Sequence, residues 1–134
     1  MYCTGEDLIT RFGSAEIRQV SDHDNTGDIN ADVVNQAITD ASAEIDGYLN
    51  GVHDLPLDNV PALLNLYACD IARYRLFGDG AYEQVIERYN IALRYLRDVA
   101  TGRVELLPTT VDDEAENGAE FANGRDSIFG GGGF

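Results

Sequence analysis

The chain has 134 residues, 24 of them acidic and 9 basic, for a net charge of -15. That length suits one domain. An acidic surface disfavours nucleic acid, whose phosphates are bound mainly by Lys and Arg. No apolar run approaches the ~20 residues that a membrane-spanning helix needs, and the opening residues lack the basic-then-apolar pattern of a secretory leader.

All nine basic residues are Arg, the cation suited to planar, bidentate and partly buried pairing. They are unevenly placed. Residues 1–60 hold twelve acids and two Arg, residues 61–102 five of each, and residues 103–134 seven acids and two Arg. Cys3 and Cys69 lie far apart in sequence without metal-ligand neighbours, so free thiols are expected, with Cys69 a small core residue.

The first element is a short helix. Thr4 and Asp7 form an N-terminal capping pair, Leu8, Ile9 and Phe12 make an apolar face, and Gly13 ends it. Ser14 starts a second short helix carrying Ile17 and Val20. Ser21 to Gly27 is polar and reads as a loop.

Asn30 caps a long third helix, roughly Ala31 to Asn50, with Gly51 as its stop. Val34, Ile38, Ala41, Ile45 and Leu49 share one face at helical spacing. Asp32, Asn35, Gln36, Asp40 and Glu44 cover much of the rest. A loop from Val52 to Asn59 contains Pro56, His53 and Asp54.

Pro61 suits the first turn of a fourth helix reaching about Phe77, with Leu64, Tyr67, Ile71 and Tyr74 as its stripe. Gly78 and Gly80 form the next turn. A fifth helix is expected from about Ala81 to Thr101, with Tyr82, Val85, Ile86, Tyr89, Leu93, Leu96 and Ala100 inward and Gly102 at its end. The expected fold is therefore all-α: a small bundle of three longer helices plus two short N-terminal ones over residues 1–102. Residues 103–134 form an extended acidic, Gly-rich tail without apolar periodicity, expected to be disordered when free. Ile128, Phe129 and Phe134 are large apolar groups near its end.

One segment resembles a calcium loop. Asp22, Asp24 and Thr26 stand at positions one, three and five of an EF-hand pattern, Gly27 at six, Asp28 at seven and Ile29 at eight. Position twelve, where a bidentate Glu belongs, is Val33. An Asx-rich turn leading to the Asn30 cap is the favoured reading, weak calcium binding the alternative; no metal or other cofactor is expected. His23 and His53 have no nucleophile or orienting partner evident in the sequence, and no P-loop, dinucleotide fingerprint, zinc spacing or nucleophile elbow occurs. No catalytic residues are therefore assigned, and the chain is not expected to be an enzyme.

Arg73, Arg75, Arg88, Arg94 and Arg97 share two helices with Tyr67, Tyr74, Tyr82, Tyr89 and Tyr95. Arg interleaved with aromatics suits single-strand stacking, but this segment is neutral and most of its Tyr residues sit at core spacing. Two readings stay open: a solvated helix surface, or pairing of these Arg with acids such as Asp40 and Glu44 on a neighbouring subunit.

The order of these elements matches a known family. YCTGEDLITRFG at Tyr2 to Gly13 resembles the "Y-x-T-x-x-D-L-x-x-R-F-G" opening of Mu-like phage head–tail connector proteins. ITDASAEIDGYLNG at Ile38 to Gly51 resembles their "A-x-x-D-A-S-A-E-I-D-G-Y-L" helix. Leu55 to Pro61 and ACDIARYRL at Ala68 to Leu76 resemble their "L-P-L … V-P" loop and "C-D-I-A-R-Y-x-L" helix. The family pattern includes the calcium-like loop, here with Asn30 where an Asp is common.

The resemblance implies a structural virion protein, a head-completion adaptor in the neck between capsid and tail. It implies a ring of about twelve copies, a closed heterologous assembly, docked beneath the portal after DNA packaging. The partners it implies are the portal protein, neighbouring copies, and a stopper, tail-terminator or other neck protein. Packaged DNA would pass through the channel without specific binding, no membrane is involved, and assembly would take place in the host cytoplasm. Ile128, Phe129 and Phe134 would be portal-docking anchors, although the tail lies outside the strong match. Two other classes stand beside this one: an acidic helical inhibitor that mimics DNA, and a small metal-dependent hydrolase using Asp22, Asp24 or His53.

Overall fold

The computed structural model describes residues 1–106. Its elements are α1 (Gly5–Phe12), α2 (Ser14–Ser21), α3 (Ala31–Leu49), α4 (Ala62–Phe77), a 3-10 turn (Gly78–Gly80) and α5 (Glu83–Ala100). The described residues contain no strand, and the fold is the expected helical bundle with two short helices ahead of three longer ones. Most of the tail call, including Ile128, Phe129 and Phe134, lies outside the described residues.

Local chemistry sets the helix starts. The Thr4 hydroxyl accepts from the Asp7 N–H at 3.1 Å, and the Asp7 carboxylate accepts from the Thr4 N–H at 3.0 Å. Two N–H groups that the helix leaves over are thereby satisfied. Gly13 has φ +91° and joins α1 directly to α2, a backbone angle that a side chain would strain. At the start of α3, the Asn30 side chain accepts from the N–H groups of Asp32 and Val33. The buried Ser21 hydroxyl accepts the Asn30 N–H at 3.1 Å, tying the end of α2 to the start of α3.

The core lies where α3, α4 and α5 pack. Ile45, Leu49, Leu64, Ile71 and Leu96 are fully enclosed, and Leu8 and Ile17 bring α1 and α2 onto the same cluster. Cys69 is buried as expected, and Cys3 is buried too; both thiols are free. They are neighbours across the N-terminal segment and α4, and hydrogen bonding to Cys69, with burial, pushes the Cys3 thiol up.

The fifth helix departs from expectation at its start. It begins at Glu83, and Tyr82 and Ile86, expected inward, are 48% and 40% exposed. The buried positions are Val85, Ala92, Leu93, Leu96 and Val99. This stripe is narrower than the one read from the sequence, because α5 packs on α3 and α4 along one side only. Tyr67 and Tyr89, expected to be buried, are half-buried. Their rings pair instead: Tyr67 with Tyr95 at 4.8 Å, and Tyr74 stacked on Tyr89 at 3.9 Å.

Candidate interaction surfaces

The Arg residues expected at subunit boundaries sit in three different settings. Arg73 belongs to the interior. It is 6% exposed, and its Nε and Nη2 donate to the two Glu16 carboxylate oxygens at 2.8 and 2.9 Å. Nη2 also donates to the Tyr82 hydroxyl at 3.1 Å. The guanidinium lies 4.3 Å from the centre of the Phe12 ring. One side chain thus joins α1, α2, α4 and the entry to α5, so Arg73 is not available to a neighbouring subunit.

Arg75 and Glu44 also find each other within the chain. Arg75 Nη2 donates to Glu44 Oε1 at 2.7 Å, and the Tyr89 hydroxyl donates to Glu44 Oε2 at 2.8 Å. Burial and the bond to Glu44 push the Tyr89 hydroxyl up to about 12. Asp40 accepts from Gln36 one turn earlier at 3.0 Å. Among the described residues, neither a hydrogen bond nor an ion pair from the guanidinium of Arg94 or Arg97 is found, and both lie exposed on α5.

Arg88 has a looser partner. Its Nη1 is 3.7 Å from Asp70 Oδ1, beyond hydrogen-bond distance. Asp70 is 4% exposed, and Oδ1 is a buried oxygen with no hydrogen-bond partner among the described residues. Burial pushes this carboxyl above the usual carboxylate range, with Arg88 and Arg73 opposing. Leu66, Tyr67, Asp70, Arg88 and Ile91 line a pocket of about 220 Å³ between α4 and α5.

The calcium-like loop closes on itself. Asp22 Oδ1 accepts from the Thr26 N–H at 2.7 Å and the Thr26 hydroxyl at 3.0 Å, while Oδ2 accepts from the Gly27 N–H at 2.7 Å. Those N–H groups hold the Asp22 carboxyl below its ordinary range. The Asp28 N–H donates to Thr26 Oγ1. Asp24 is exposed. Among the described residues, no group of three or more His, Cys, Asp or Glu is placed to hold a metal ion. His23 Nε2 lies 3.2 Å from the Val20 carbonyl, and Asp54 beside His53 is exposed.

The residues of the opening motif are tied into the fold. The Tyr2 hydroxyl donates to Asp46 on α3, and burial, then Asp46, pushes that hydroxyl upward. Asn65 on α4 donates to the Tyr2 carbonyl at 2.9 Å and to the Asp7 carboxylate at 3.1 Å, and accepts from Arg11 at 3.0 Å. Phe12 lies against the Arg73 guanidinium. The sequence pattern gives no signal for Asp46, Asn65, Glu16 or Asp70. Their partners are up to 63 residues away, and no local pattern marks such pairs.

Comparison with known proteins bears on what this architecture is. The profile of the family described as "Bacteriophage Mu, Gp36" matches residues 2–123. The chain belongs to that family. It is 36% identical over 121 residues to the Mu-like prophage FluMu protein gp36 of Haemophilus influenzae, covering 89% of this chain and 86% of that protein. It is 35% identical over 106 residues to gene product J of Escherichia phage Mu, covering 78% and 74% respectively. It is thus a Mu-like phage protein, and no described helix is long and apolar enough to cross a membrane.

Proposed function

We propose that this Mu Gp36-family protein is a head–tail connector, an adaptor that forms a ring between the portal and the next neck or tail component after DNA packaging. The observation that carries the reading furthest is the pair of exposed Arg near the end of α5, set against exposed acids around the start of α3. Arg94 and Arg97 stand exposed on α5 without an intrachain partner among the described residues, while Asp24, Asp28 and Asp32 are exposed around the start of α3. A closed ring joins two different faces of neighbouring copies, and opposite charges on those faces favour one register.

Arg73, Arg75 and Glu44 contribute to this assembly by holding the bundle rigid. Arg94 and Arg97, with Asp40 and Arg88 at the margins, meet the neighbour. Portal contact falls to Ile128, Phe129 and Phe134. Net charge -15 opposes association of the free protein, so the portal supplies the template, and the acidic channel lets DNA pass without adhering. In this reading the protein resides in the virion neck.

Sedimentation of the purified protein with and without purified portal tests this. A stoichiometric complex with the portal, and little self-association alone, is expected. Absence of any portal complex at micromolar concentration would remove the connector reading.

A further inference from the structure

The pocket between α4 and α5 combines two features that the helical bundle itself leaves unused. One is the buried Asp70 carboxylate, whose Oδ1 has no hydrogen-bond donor among the described residues and whose nearest cation, Arg88, stands off at 3.7 Å. A buried oxygen left without a donor is costly to the fold. The other is apolar surface on the same two helices: Leu63 on α4 and Ile86 and Ile91 on α5 are exposed, and Ile91 lines the pocket itself. A ligand suited to both would carry a planar, multi-donor cation next to bulky apolar groups.

Beyond the described residues the sequence contains one such segment. Arg125 is the only basic residue after Arg103, and Ile128 and Phe129 follow it three and four positions later. We propose that Arg125, Ile128 and Phe129 dock on their own bundle, with the Arg125 guanidinium donating to Asp70 Oδ1 and the two apolar side chains covering Leu63 and Ile91. Reach is ample. Residues 107–124 can span roughly 60 Å when extended, whereas Ile91 lies only ~14 Å back along α5 from Ala100. A tether of that length holds the segment at roughly millimolar effective concentration. A second copy must instead overcome repulsion between chains of charge -15.

This docking narrows the expectation that the whole tail is free before assembly. It rests on the connector reading for its consequence alone: the same Ile128 and Phe129 that reach the portal are held back until the portal competes for them. The contact itself belongs to the free protein.

Methyl and backbone NMR of the full-length free protein tests it, comparing wild type with Arg125→Glu and with Phe129→Ser. Both substitutions lie beyond the described residues. Docking predicts that each shifts the resonances of Leu63, Leu66, Asp70 and Ile91 while those of Ile45 and Leu49 stay in place. It also predicts that the wild-type spectrum is unchanged on tenfold dilution. Unchanged pocket resonances in both variants would overturn the proposal and leave water as the pocket's occupant. Shifts that vanish on dilution would overturn it in favour of a second copy's tail. Neither outcome depends on portal binding, so loss of this contact and loss of the connector reading are separately visible.

Discussion

The guanidinium fork of Arg73 closes on both carboxylate oxygens of Glu16, at 2.8 and 2.9 Å, across 57 residues of sequence. Among the described residues, no other side-chain hydrogen bond joins α2 to α4. Removing one partner leaves the other charge in a partly desolvated setting. Arg73→Ala is expected to destabilise the protein by about 2–4 kcal/mol, through lost pairing and lost packing on Phe12. Arg73→Lys should recover little, since an ammonium cannot supply the fork. Urea unfolding checks both. A change below about 0.5 kcal/mol would show that α2 is held by other contacts.

Core and surface positions on α5 separate cleanly. Leu96 is fully buried and Ile86 is 40% exposed. Leu96→Ala is expected to cost about 2–5 kcal/mol, whereas Ile86→Ala should fall within ~0.5 kcal/mol. Chemical denaturation of the two variants measures the difference. Similar losses at both positions would mean that the buried stripe of α5 is wider than described.

The contrast between these two residues shows what could be read from the sequence and what could not. The caps at Thr4 and Asn30 and the stripe of α3 are set by residues within one or two turns of each other, so pattern alone exposes them; on α4 it marks Leu64 and Ile71 but not the buried Ala68, Ala72 and Leu76. The inward face of α5 was read one step too wide, because Tyr82 and Ile86 fit helical spacing. Which part of an apolar stripe is covered depends on how many neighbours the helix has, and that is a tertiary fact. The Arg pairings failed to be legible for the same reason. Arg73 and Arg94 look alike in sequence, and only the approach of Glu16 from α2 separates an interior clamp from an exposed cation.

Acid titration should divide the carboxylates by sign. Asp7, held low first by the Asn65 hydrogen bond, has a folded pKa below its unfolded value. Its contribution is present above the unfolded value, about 3.9 for Asp, and is lost as pH falls through the lower folded value. Asp70 is raised by burial. Its contribution is complete below the unfolded value and is lost as pH rises through the higher folded one. Asp7→Asn should therefore remove stability that wild type loses on acidification, while Asp70→Asn should remove a loss that wild type suffers as pH rises from about 4. Thermal melts from pH 3 to 7, made in an Arg125→Gln background so that Asp70 has no docked cation, measure this. Differences from wild type that slope the same way with pH in both variants would contradict the assignment for Asp70.

The loop at Asp22 is expected to bind calcium weakly or not at all. Its leading carboxylate already accepts three hydrogen bonds from Thr26 and Gly27, and Val33 occupies the position of the bidentate ligand. Calorimetric titration at low salt should show no binding tighter than ~10 µM, the weak end of the sensor range. A tighter isotherm, abolished by Asp22→Asn, would require the loop to open and re-form around the ion.

The most direct measurement of the connector account is electron cryo-microscopy of the protein mixed with its purified portal, run beside the Arg94→Glu/Arg97→Glu variant. The account predicts a closed ring of about twelve copies seated on the portal, with α5 of each copy facing acidic residues of the next. It predicts that the double variant keeps wild-type helical content by circular dichroism and fails to close the ring. A portal that stays bare with wild-type protein, or a double variant that closes rings as wild type does, would contradict it.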